Sequence, residues 1–237
     1  MKNIIFFLVT IVIISCGDNK PAVNVDSLKT DSALKAQLTK SNMSVSTDSV
    51  NMTALPPVFE GDIVMQISED PQHIAFGKAC GSKYNHAGMI FIRPKDRMFM
   101  VMEANDSVTA TPLTEWINRG QDDHVVVMRL KDANQILNER KTMQLKKGAK
   151  DFRGKSEDDF YSWTDNALYS TELVWKMYAN LKIEICEPGK ISDMNMTGTV
   201  IGEQMTKNYG AGIPKNEKFI SPDAIYKSTK LVVVYER

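Results

Sequence analysis

His86-Ala87-Gly88-Met89-Ile90-Phe91-Ile92 and Met98-Phe99-Met100-Val101-Met102-Glu103-Ala104 are the stretches on which the fold turns. Both are rich in strand formers, and Arg93-Pro94-Lys95-Asp96 between them suits a turn with proline at its second position, so the reading is an antiparallel hairpin. With Arg93 to Asp96 as the turn, counting outward sets His86 opposite Glu103. Directly opposed side chains share a sheet face about 5 Å apart, close enough for a carboxylate to orient an imidazole. A slip of one residue would separate them.

Outward from the hairpin, Gly61-Asp62-Ile63-Val64-Met65-Gln66 and His124 to Leu130 read as strands. Asp70-Pro71 opens a helix through Cys80 with Gly81 as its stop. Leu113 to Ile117 reads as a short helix, and residues 132–150 as an exposed amphipathic one. After a polar loop, 151–165, the apolar stripe Leu173, Val174, Met177, Tyr178 and Leu181 predicts a helix crossing the core. Lys182 to Cys186 reads as a strand, Ser221-Pro222 as a helix start, and Leu231 to Tyr235 as a buried closing strand. Stretches 81–85, 105–112 and 187–218 read as loops, with Gly189 to Gly212 overhanging the cleft. Strands and helices segregate rather than alternate, which favours the α+β class.

The chain has 237 residues, 43% of them hydrophobic and 24% charged, enough apolar material for one sizeable core. Lys+Arg and Asp+Glu stand at 29 each, so no global basic field exists to hold nucleic acid. Met1 to Ser15 carries one charge, Lys2, before an apolar run from Ile4 to Ile14 that stops short of the roughly 20 residues a spanning helix needs. Residues 1–15 read as a secretion signal, and Ile14-Ser15-Cys16-Gly17 resembles a lipobox in which Cys16 becomes the lipid-bearing mature N-terminus. Between Gly17 and Pro57 there is no Phe, Tyr or Trp, so residues 16–57 read as a lipidated cysteine and flexible tether ahead of a domain at 58–237. The expectation is an envelope lipoprotein held to a membrane through its N-terminal lipid, with the oligomeric state left open.

Three cysteines, Cys16, Cys80 and Cys186, are too few for a disulfide scaffold and lack metal-site spacing, so neither a metal nor a cofactor is expected. Cys80 and Cys186 read as structural, paired or free. Of three histidines, His73 falls within a surface helix and His124 at a strand start, positions that suit structural residues. His86 follows a loop and precedes small residues, and is the candidate general base. Ser170 lies where the polar loop turns into the apolar helix, whose N-terminal N–H groups could meet a developing oxyanion. The same position suits a capping serine, and nothing in the spacing joins it to His86.

Taken in order, Gly61-Asp62-Ile63-Val64, His86-Ala87-Gly88-Met89, Met102-Glu103-Ala104, Thr111-Pro112-Leu113 with Trp116, Tyr169-Ser170-Thr171-Glu172-Leu173-Val174-Trp175 and Ser221-Pro222-Asp223 together resemble the YiiX/YaeF group of permuted papain-like amidases. The resemblance implies a circularly permuted, NlpC-type fold with a small barrel-like antiparallel sheet packed on helices. It implies His86 as general base, Glu103 as its orienting acid and position 170 as the nucleophile. The family pattern has cysteine at that position, and this chain has serine. The implied activity is hydrolysis of an amide bond in a cell-wall peptide or acylated amino acid. The alternative is an inactive member, or a Cys-to-Ser variant, that binds such a ligand without turnover.

Overall fold

A computed structural model of the chain describes residues 57–237. The signal segment, Cys16 and the tether up to residue 56 lie outside the described residues. Nearly continuous runs of strand-forming residues, buried on both faces, build β1 (Ile63–Gln66), β2 (His86–Ile92), β3 (Phe99–Asn105) and β5 (Val126–Leu130). The stretch expected as a loop before the first short helix is instead β4 (Ser107–Pro112), turned back on β3 by Asp106 in the left-handed region at φ 55°. The closing strand β10 (Leu231–Glu236) completes an antiparallel order β10-β5-β1-β2-β3-β4. Two-residue strands β6 (Ser156–Glu157) and β7 (Ala167–Leu168) extend it past β4, while β8 (Gly189–Lys190) and β9 (Lys218–Phe219) pair in a separate two-stranded sheet. The sheet is mixed helix-covered and open, not barrel-like: β10 pairs only with β5 and β7 only with β6. β10 is therefore an edge strand rather than a buried one, with Val232 and Val233 at 44% and 41% exposure.

Strand alternation gives the sheet two faces. Ile63, Met65, Ala87, Met89, Met102 and Met128 pack with α4 (Glu139–Phe152) and α5 (Ser170–Ala179). Val64, Ile90, Val101 and Val127 pack on the other side with Leu113, Trp116 and Ile117 of α2 (Leu113–Asn118). The stretch expected as one amphipathic helix divides at Leu137 into the short α3 (Ala133–Ile136) and α4. Lys182 to Cys186 forms turns instead of a strand, since Lys182 takes φ 60° and the Cys186 carbonyl accepts from Trp175 Nε1.

The helix ends follow their capping residues. Asp70 accepts from the Gln72 and His73 N–H groups and Gly81, at φ 63°, closes α1 (Pro71–Cys80). Ser221 caps α7 (Pro222–Tyr226) through the Ala224 N–H. A third apolar cluster joins Phe76 of α1, Tyr161, Tyr169 and Phe219 to Ile201 and Met205 of α6 (Val200–Tyr209), a helix within the stretch expected as a loop. Cys80 and Cys186 are both free thiols.

Candidate active site

The hairpin that frames the site has a register two residues away from the one its turn suggests. Met89 pairs with Met102 and Ile90 with Val101, so Gly88 rather than His86 stands opposite Glu103. The turn is longer than four residues because Arg97, at φ 61°, donates back to Arg93 and the Arg93 N–H closes onto Met98. A shift of two preserves facing, and His86 still reaches Glu103 diagonally: Nε2 and Oε2 are 2.7 Å apart. Gly88 makes room for this, since a Cβ there would lie 2.2 Å from Val101 Cγ1 and 3.7 Å from Glu103 Cβ.

Glu103 is fully buried and accepts from three sides. Besides the imidazole, the Thr111 hydroxyl and the Arg119 guanidinium both donate to Oε1 at 2.5 Å. Burial alone would raise its pKa, but the bonds from His86 and Thr111 and the charge of Arg119 outweigh it and hold the carboxyl at about 2. An ionised Glu103 fixes the imidazole tautomer, because the carboxylate accepts and Nε2 must donate. The lone pair is thereby left on Nδ1, which is buried and has no hydrogen-bond partner among the described residues. Burial, followed by the proximity of His73, pushes the His86 pKa down against the pull of Glu103, so the ring is a neutral base.

The residue the sequence undervalued is His73. It is buried at 5% exposure rather than on a surface, and its ring stacks on His86 at 4.2 Å between centroids. Ser68 Oγ holds its Nδ1 at 2.8 Å and Glu157 Oε1 its Nε2 at 3.3 Å. Those partners lie 5 and 84 positions away, so only the Asp70 cap, which sets the phase of α1, hinted at which way this residue faces. Gln66, which pairs with His86 across β1 and β2, is buried too, and its Oε1 has no partner among the described residues.

Ser170 is the first residue of α5 and is 3% exposed. The N-cap is Tyr169, whose side chain makes no capping bond, so Ser170 is not a capping serine and the first-turn N–H groups are not consumed. Thr171 Oγ1 donates to the Ile220 carbonyl at 2.6 Å and the Tyr169 hydroxyl accepts from the Ile220 N–H at 2.9 Å, which clamps the helix start. Ser170 opens onto a narrow cleft that His73, Gln72 and Tyr161 also line. Gln72 exchanges hydrogen bonds with Gln204 of α6, which brings that helix to the cleft's edge. The structure joins His86 to Glu103 directly, and connects Ser170 to them through His73, which lines the Ser170 cleft and stacks on His86. No hydrogen bond links Ser170 Oγ to His86.

Neither Cys80 nor Cys186 lines the Ser170 cleft. Burial first, then the Asp223 charge, raises the Cys80 thiol well above its ordinary value, and burial pushes Cys186 up to about 12.

A family model described as "Permuted papain-like amidase enzyme, YaeF/YiiX, C92 family" matches residues 58–235. The chain is 34% identical over 175 residues to the uncharacterized protein YiiX of Escherichia coli K12, across 73% of this chain and 84% of that protein. It is also similar to the crystal structure of metalloprotein YiiX from Escherichia coli O157:H7, with TM-score 0.67 and 32% identity over 75% of this chain and 97% of that one.

Proposed function

The chain belongs to the permuted papain-like amidase family of YaeF and YiiX, and on that premise we propose that it cleaves an amide bond with Ser170 as nucleophile, His86 as general base and Glu103 as the group that orients the imidazole. The observation that carries this reading is the buried His86–Glu103 pair, which leaves Nδ1 as a neutral, unpartnered base. His86 Nδ1 takes the hydroxyl proton as Ser170 Oγ attacks the carbonyl. The α5 N–H groups stabilise the oxyanion, and the imidazolium returns the proton to the leaving amine. A serine hydroxyl ionises far less readily than the family's thiol, so this scheme requires the cleft to close until Oγ and Nδ1 meet.

The substrate class we favour is a cell-wall peptide or an acylated amino acid. The lipobox-like run ending at Cys16 supports an envelope protein anchored by lipid, with the domain at 58–237 carried on a tether. The solved relative is described as a metalloprotein. In this chain no group of three His, Cys, Asp or Glu side chains among the described residues could hold a metal ion: both His73 nitrogens are bonded to Ser68 and Glu157, and His86 keeps only Nδ1 without a partner, its Nε2 being on Glu103. These residues do not fit a metal centre.

A second reading, a binding protein without turnover, draws on the lack of a hydrogen bond between Ser170 and His86. Ser170→Ala and Ser170→Cys separate the two. With amide, ester and phospholipid substrates, the hydrolase reading expects loss of activity in the first and a large gain in the second. Equal rates in wild type and Ser170→Ala sink the serine mechanism, and retained ligand affinity without hydrolysis supports the binding protein.

A further inference from the structure

On the sheet face opposite His86 and Glu103, a cavity of about 390 Å³ lies between α4 and the β2–β3–β4 strands, within the size range of small-molecule sites. Its floor is carbon and thioether: Phe91, Met100, Met102, Ala110 and Ala149. Ala149 is the small residue in the middle of the α4 wall, and two methionines make the floor adaptable. The mouth carries four cations, Arg93, Lys146, Lys150 and Arg153, and no carboxylate lines it. Lys146, Lys150 and Arg153 recur at helical spacing on the α4 side and so share one face.

Two of these cations are already neutralised, Arg93 by Asp96 at 2.6 Å and Lys146 by Glu60 at 2.6 Å. Lys150 and Arg153 have no acidic partner among the described residues, and both are exposed. Strand alternation excludes the amidase site from this cavity, because Phe91 and Met102 point away from His86 and Glu103. An apolar slot with net positive charge confined to its rim complements one kind of molecule, an amphipathic anion.

We propose that this cavity binds a long-chain fatty carboxylate, its hydrocarbon on Phe91, Met100 and Met102 and its carboxylate between Lys150 and Arg153. Calorimetric titration of the full chain with soluble single-chain probes tests it. Affinity should rise roughly fourfold per added methylene from octanoate to dodecanoate. Dodecanol and dodecyltrimethylammonium should bind at least tenfold more weakly than dodecanoate. Ala149→Phe fills the slot and abolishes binding. Lys150→Glu with Arg153→Glu, both on the surface, keeps the thermal transition and lowers dodecanoate affinity at least tenfold. Ser170→Ala leaves binding unchanged. Equal binding of the cationic amphiphile overturns the proposal, as does dodecanoate binding that survives both α4 variants. So does recruitment to anionic lipid vesicles, dependent on Lys150 and Arg153, without dodecanoate binding.

Discussion

Replacing Glu103 by glutamine changes one atom type and tests the logic of the site. The carboxylate is fully buried and accepts three hydrogen bonds, from His86, Thr111 and Arg119. A glutamine oxygen can still accept from Thr111 and Arg119 while its amide NH₂ faces His86 Nε2. Two donors cannot face each other, so the imidazole gives up its Nε2 proton and takes one at Nδ1, the atom that the proposed mechanism uses as base. The charge-assisted bond to His86 is lost and the one to Arg119 weakens, at about 1.5–3 kcal/mol for a bond to a charged group. The expected loss of stability is about 2–4 kcal/mol, a fall of about 5–15 °C in Tm for a domain of this size. Activity, measured on the Ser170→Cys background, should fall about 10⁴-fold, as happens when a triad carboxylate becomes an amide and the tautomer is wrong. Nitrogen-15 NMR of the imidazole reads the tautomer directly. An Nε2-protonated His86 in Glu103→Gln, together with undiminished turnover, would refute the reasoning.

Other outcomes follow from individual contacts. Gly88→Ala puts a methyl 2.2 Å from Val101 Cγ1 and 3.0 Å from the Met102 carbonyl, and should cost about 1–3 kcal/mol in denaturant unfolding; a neutral result means the hairpin is looser than described. Glu172 is buried, and Lys176 Nζ lies 2.8 Å from its Oε1. Burial raises its carboxyl from 4.5 to about 8 against the pull of Lys176, so the folded state holds a proton that the unfolded state releases. That contribution is complete below pH 4.5 and is lost as the pH rises through about 8, by at most about 5 kcal/mol. Glu172→Gln should flatten this decline in a Tm-against-pH series, and an identical slope in both proteins argues against it. Cys80 and Cys186 should resist iodoacetamide at pH 8 until the chain is unfolded, and prompt labelling of either in the native protein contradicts their high thiol pKa values.

Local signals carried a good part of the fold. Asp70-Pro71 with Gly81, and Ser221-Pro222, bound their helices where capping chemistry puts them, and the β2 limits match the run of strand formers. Face parity in the hairpin was legible, because the pairing of His86 with Glu103 depends only on an even offset. The exact register was not, since it is set by Arg97 entering a left-handed conformation that arginine rarely adopts. β4 was hidden for a similar reason: its only announcement is Asp106 at positive φ. The importance of His73 was invisible because stacking on His86 and the bond to Glu157 are tertiary events. Lys182 to Cys186 looked like a strand by composition, but its burial comes from docking beneath the chain near Ser228, whose hydroxyl meets the Ile185 carbonyl.

The even offset also limits how the loop at 93–98 can change length. Adding or deleting two residues there would slide β3 along β2 yet return Glu103 to the side of the sheet that holds His86. A single-residue insertion or deletion would instead turn Glu103 toward the face of Ala87 and Met89 and leave a carboxylate without Arg119 or Thr111 among hydrocarbon, at a cost of several kcal/mol. Relatives that keep this histidine–glutamate pair should therefore differ in this loop by even numbers of residues, or carry a compensating bulge.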